Sequence, residues 1–192
     1  YMVLANYVKS FEGGKVTGYS SALDWNRITV LPQTTILYTN DIHTYIDNDD
    51  LRYSDVAALK DALGAILVDA GDHLQGTAYG QMDKGMTIIE IMNASGYDLA
   101  TFGNHEFDYG VDTLAVVLKN ATFPVLCANY DVANTPLEGL VKPYVVLHRA
   151  NLRIGVFGIG VDPQGLISEK NFSPLQYLEP IAVAQEVVDV LK

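Results

Sequence analysis

The chain carries a single cysteine, Cys127, in 192 residues, which excludes an intrachain disulfide and leaves the redox compartment open. Basic residues are scarce: 12 Lys and Arg stand against 23 Asp and Glu, for a net charge of −11. No basic stripe is available to displace counterions, so a nucleic-acid polymer is excluded as the main partner. Phosphate esters are not excluded, because divalent cations can supply positive charge locally. No apolar run reaches the length of a membrane span. The start, Tyr1 onward, lacks the basic stretch and apolar run of a signal peptide. Repeats and low-complexity tracts are missing as well. Cys127 follows Pro124-Val125-Leu126 with nothing nearby to lower its pKa, so the expected role is that of a small buried apolar residue.

What is present is an alternation of apolar runs and amphipathic stretches from residue 34 onward. Residues 34–39 read as a first strand buried on both faces, 65–69 as a second, 97–102 as a third and 124–128 as a fourth. Between them, Ser54 can cap a helix with Val56, Leu59 and Leu63 near one face and Gly64 at its end, while Lys60 borders that stripe and reaches to water. A second helix is expected over 86–92, and Leu114, Val117 and Leu118 mark a third. Residues 145–147 and 153–158 read as a hairpin, and Pro180 starts a last helix with Val183, Val187, Val190 and Leu191 on its apolar side. This order predicts an α/β fold with a parallel sheet and helices packed outside it. Residues 1–32 stand apart from the pattern: Met2 to Val8 can form a short helix, Gly13, Gly14 and Gly18 punctuate a loop, and 28–31 can form a strand. They are expected to be an extension packing Trp25 onto the main domain, or the tail of a preceding module, with residues 33–192 forming the main domain.

Three short polar strings follow the first three strands: Asp41-Ile42-His43, Gly71-Asp72-His73-Leu74-Gln75-Gly76 and Gly103-Asn104-His105-Glu106-Phe107-Asp108. Loops leaving the carboxyl ends of parallel strands converge on one edge, where ligands bind. Carboxylate, imidazole and amide oxygen are the donors of a two-metal hydrolytic centre. In extended geometry, Asp41 and His43 point to the same side. Gln75 and Gly76 look like turn formers that fold the second loop back beneath the site. The acidic run Asp47-Asn48-Asp49-Asp50 lacks the Gly and terminal Glu of a calcium loop and reads as a solvated loop. Sequons at Asn93, Asn120 and Asn171 carry little weight as glycosylation sites.

Together these strings resemble the metallophosphatase (calcineurin-like) superfamily, whose signature runs D-x-H, G-D, G-N-H-[DE]. With Asn93-Ala94 before Gly96-Tyr97-Asp98, and Tyr109-Gly110 closing the third string, the wording is similar to the amino-terminal metal domain of the 5′-nucleotidase family. The family includes nucleoside-diphosphate-sugar hydrolases and 2′,3′-cyclic-nucleotide phosphodiesterases, and the resemblance covers 34–192. It implies the amino-terminal half of an αββα sandwich. It implies two divalent metal ions (Zn, Mn or Fe) held by Asp41, His43, Asp72 and Asn104, with Asp72 bridging them. His105 would then face the substrate phosphate, with Asp108 accepting its other ring N–H. His73 would point away, and Glu106 would be a scaffold hydrogen-bond partner rather than a base. The substrate would be a nucleotide or other phosphate ester, and the place of action extracellular, periplasmic or at the cell surface.

In the family a histidine-bearing strand and a G-H-x-H loop come after the last helix, whereas His148 is the only histidine here beyond His105. These residues are therefore expected to lack the remaining metal ligands and a carboxyl-terminal nucleotidase domain, and to be inactive by themselves. The rival reading is a non-catalytic metal-binding or interaction module. A third is a sulfur-linked ester as substrate.

Overall fold

A computed structural model describes residues 8–12, 15–20, 33–46, 52–149 and 151–192. Contacts divide the chain into two units, Tyr1–Pro32 and Gln33–Lys192. In the first, β1 (Val8–Glu12) pairs antiparallel with β2 (Lys15–Ser20). Val8 is thus a strand residue rather than part of a helix, and Gly18 lies opposite Ser10 in the ladder rather than in a loop. A Gly-Gly pair between two short runs is a hairpin signal, and here it outweighs helical spacing. Residues 2–7, Trp25, the expected strand at 28–31 and Asp47-Asn48-Asp49-Asp50 lie outside the described residues.

The second unit is built on a five-stranded parallel sheet. Its order is β3 (Ile36–Thr39), β4 (Ile66–Asp69), β5 (Leu99–Thr101), β6 (Val125–Leu126) and β8 (Val141–Lys142). Ile36 lies opposite Ile66, Val68 opposite Leu99 and Thr101 opposite Leu126. The helices α1 (Tyr53–Leu63), α3 (Met86–Ala94) and α4 (Val111–Leu118) alternate with the strands as the periodicity predicts. Leu67, Ile88, Ile89, Met92, Phe102 and Leu114 form the heart of the core.

Several expectations are corrected. Burial on both faces holds for Ile66 and Leu67 of β4 but not for β3, where Ile36 is 50 % and Tyr38 74 % exposed. Among the described residues β3 pairs only with β4, so its outer edge and one face lack a covering layer. The residue at the cap of α1 is Arg52, not Ser54: the Arg52 amide and guanidinium both donate to the Asp55 carboxylate. Tyr53 and Val56 are buried, but Leu59 and Leu63 are exposed, while Gly64 ends the helix as expected. Lys60 is held in an ion pair and keeps only partial exposure to water. Its Nζ lies 2.8 Å from Asp98 Oδ2 and bonds the Gly96 carbonyl, because Asp98 is held at the start of β5 by the Leu67 amide.

A short helix α2 (Ala78–Asp83) was not foreseen, since its buried residue is Gly80 and no apolar stripe announces it. The two residues of β8 are likewise too few to show a period. Beyond β7 (Tyr130–Asp131), the hairpin of β9 (Tyr144–Arg149) and β10 (Leu152–Phe157) forms as expected. Then come α5 (Glu169–Phe172), β11 (Gln176–Tyr177), which pairs with β7, and α6 (Pro180–Leu191). On α6, Val187 is buried, but Val190 is 65 % exposed: the helix buries a narrower stripe than its valines suggest. Among the described residues no helix is long and apolar enough to cross a membrane.

Candidate metal centre

Each polar string leaves the carboxyl end of a parallel strand, and the loops are stitched together by their backbones. The Asp41 amide donates to the Gly71 carbonyl at 3.1 Å and the His43 amide to the Asp72 carbonyl at 2.9 Å. Asp41 and His43 are therefore not extended. Their φ angles are 54° and 49°, and Asp72 has φ 60°. Left-handed backbone costs a non-glycine residue ~1–2 kcal/mol, so three such residues persist only where neighbouring contacts over-determine them. The turn still leaves Asp41 Oδ1 3.7 Å from His43 Nε2. As the Gln75-Gly76 reading predicts, the second loop folds back, and the Thr77 amide donates to the His43 carbonyl at 3.2 Å.

The second and third loops approach backbone to backbone, and glycine makes this possible. At Gly71 (φ 108°) a Cβ would overlap the Gly103 amide, and at Gly103 it would overlap the Asp72 carboxylate. Across this contact the His105 amide donates to Asp72 Oδ1 at 2.8 Å. Glu106 lies beneath, buried, and accepts backbone amides from both loops. His73 points away from the centre: it is fully buried, its Nδ1 2.8 Å from Asp69 Oδ1. Burial alone would lower the His73 pKa, but Glu106 and Asp69 push it up to about 9.

On the open side, donor atoms of His43, Asp72 and His105 all lie within 4.8 Å of one another. The two imidazoles meet edge to face with centroids 5.1 Å apart. His43 Nδ1 is 3.0 Å from the Gln75 carbonyl, which can only accept, so that nitrogen carries the proton and Nε2 keeps its lone pair. A ligating histidine usually has its other N–H tied to a carbonyl or carboxylate in this way. His105 has the same arrangement, with Nδ1 2.8 Å from Asp108 Oδ2. Burial lowers the His105 pKa, but the hydrogen bond and charge of Asp108 outweigh it, and the net shift is upward. Asp72 is also raised, chiefly by burial, with Glu106 adding repulsion against the opposing His105 amide. A desolvated carboxylate beside the His43 Nε2 lone pair fits a divalent cation, whose charge would offset that desolvation.

Of the residues singled out in the sequence, His43, Asp72 and His105 are brought together, with Asp41 at the exposed rim and Asp108 behind His105. Asn104 stands between Gly103 and His105, where its carbonyl accepts the Phe107 amide at the 3₁₀ turn His105–Phe107. His105 lies at ligand distance although the family pattern puts it outside the ligand set. Sequence reasoning missed Asp69, whose buried carboxylate accepts from Thr39 Oγ1, the Gly71 amide and His73. A carboxylate ending an apolar strand four residues before a histidine was the available signal. Cys127 is buried and plays no part in the cluster; burial pushes its thiol up to about 11.

No family model matches the chain. The 5′-nucleotidase of Rattus norvegicus is 33% identical over 183 residues, covering 83% of this chain and 31% of that protein. Among solved structures, the 5′-nucleotidase precursor from Thermus thermophilus is similar with a TM-score of 0.75 and 31% identity, over 82% of this chain and 34% of that one. The calcineurin-like phosphoesterase YfkN from Bacillus subtilis gives 0.69 and 26%, over 83% of this chain and 58% of that one. The chain spans about a third of the length of the 5′-nucleotidases it matches. With its parallel sheet, its three ordered strings and this similarity along most of its length, the chain is similar to the 5′-nucleotidases, to the metallophosphatase-type part at their amino-terminal end.

Proposed function

We propose that these residues form part of the metal-binding domain of an enzyme that hydrolyses nucleotide phosphate esters, of 5′-nucleotidase or 2′,3′-cyclic-nucleotide phosphodiesterase type. The observation that carries this reading is the convergence of His43, Asp72 and His105 at the carboxyl edge of the parallel sheet. Asp41, His43 and Asp72 would hold one divalent ion (Zn, Mn or Fe), and Asp72 and Asn104 would belong to a second. Such ions supply positive charge to phosphoryl oxygens and lower the pKa of water in the site. His105, its Nδ1 tied to Asp108 and its pKa raised, is poised to carry a proton at Nε2. There it would stabilise charge on the phosphoryl oxygens and protonate the leaving alkoxide. Asp108 sets the tautomer and orientation of that ring. Residues 1–32 are read as an extension or the tail of a preceding module. An extracellular, periplasmic or cell-surface site of action belongs to the same reading.

The test uses Mn²⁺-dependent release of phosphate from AMP. Joined to the carboxyl-terminal region of the Thermus relative, the chain should release phosphate with Mn²⁺ and stop with EDTA. The 192 residues by themselves should stay near background. A folded fusion that binds Mn²⁺ yet never exceeds the EDTA control would defeat the catalytic reading and favour a metal-binding module.

A further inference from the structure

We propose that Glu106 is the positioning residue of this centre: its buried carboxylate locks two loops together and so sets the Asp72 carboxylate for cation binding before any cation arrives. The inference rests on the metal-binding reading above. Glu106 Oε2 accepts the amides of Asp72 at 2.9 Å and Gly103 at 2.6 Å. Its Oε1 accepts those of His73 at 2.8 Å and Leu74 at 3.2 Å. A carboxylate offers about four lone-pair sites, so Glu106 is filled by backbone and has none left for a metal or a substrate proton. It is neither ligand nor base.

The stitching is reciprocal. Glu106 of the third loop takes the Asp72 amide, and Asp72 of the second takes the His105 amide through Oδ1. Asp72 is held in left-handed backbone at φ 60°, which an unanchored aspartate would leave. His73 lies below, its Nδ1 3.5 Å from Oε1. Glutamine has the same shape but cannot accept all four amides. Its amide nitrogen donates, so it would face N–H groups with N–H groups and release one side of the clamp.

Titration calorimetry with Mn²⁺ on the whole chain tests the idea without any assay of activity. Wild type should bind Mn²⁺, and Glu106→Gln should bind it ~10–100-fold more weakly, as the loss of a partner behind the ligands typically does. A merely structural role would lower the melting temperature and leave the affinity of the folded variant unchanged; that result overturns the proposal. Wild type that binds no Mn²⁺ would instead sink the metal-binding reading, and the inference with it. Should Glu106→Gln fail to fold, hydrogen exchange on metal-free wild type decides. The amides of Asp72, His73, Leu74 and Gly103 should already be protected before Zn²⁺ is added. Protection that arises only on adding Zn²⁺ would show that the metal, not Glu106, orders the loops.

Discussion

Two histidine–carboxylate pairs, one under the centre and one at its rim, have the same bond and different surroundings. His73 Nδ1 to Asp69 and His105 Nδ1 to Asp108 both measure 2.8 Å. The first pair is 1 % and 0 % exposed, the second 36 % and 32 %. Bond length therefore does not separate scaffold from reagent; solvation does. Under the sheet edge, His73 sits between Asp69 and Glu106, and its Nε2 has no hydrogen-bond partner among the described residues, so its ring is committed to those carboxylates. At the rim, His105 keeps Nε2 for an incoming group while Asp108 holds the other nitrogen.

The largest effect is expected between the two pairs, at Asp72. Asp72→Ala should abolish stoichiometric cation binding, since the carboxylate that faces both imidazoles is lost; elemental analysis showing unchanged metal content would refute the site. Next is the buried pair. His73→Ala leaves two buried carboxylates without their cation, which should cost ~3–5 kcal/mol of stability in urea unfolding. The same change at the rim should behave in the opposite way. His105→Ala should alter stability by less than ~1 kcal/mol, because an exposed pair is worth little. Yet it should lower turnover of a nucleotidase-competent fusion ~10²–10³-fold with bound metal nearly intact. Equal stability losses at the two histidines would erase the distinction between the pairs.

The smallest effect isolates burial without an ionic partner. With its thiol pushed from 9.0 up to about 11, Cys127 should hold ~100-fold less thiolate near pH 8 than an ordinary cysteine. Labelling by a disulfide reagent should be slow in the native protein, speed up as pH rises toward 11, and become fast on unfolding. Rapid native labelling at pH 8 would show that burial does not govern this interior.

Much was legible because it is local. Apolar runs mark the strands β4 to β6, the 3.6-residue spacing marks α3 and α4, and Gly64 marks the end of α1. The polar strings are legible for the same reason, since a donor-rich stretch after an apolar run needs no partner to be noticed. The position of β3 at an exposed edge, the capture of Lys60 by Asp98 and the turn at Asp41 were not legible. Each depends on a residue far along the chain. α2 and β8 fall in the same class, being too short to carry a period of their own.

The sequence by itself determined which chemistries are on offer: the order of strands and helices, and carboxylate, imidazole and amide donors at three successive strand ends. Only the tertiary structure decided which of four neighbouring polar residues face outward. Asp72 is turned to the open side because the Glu106 carboxylate draws its amide inward, His105 because its amide is held by Asp72 Oδ1, and His73 is drawn down to Asp69. The physical reason is that a buried charge must be matched wherever it lies. Three of the four amides that match Glu106 come from a loop more than thirty residues earlier in the chain, so no local pattern can reveal them.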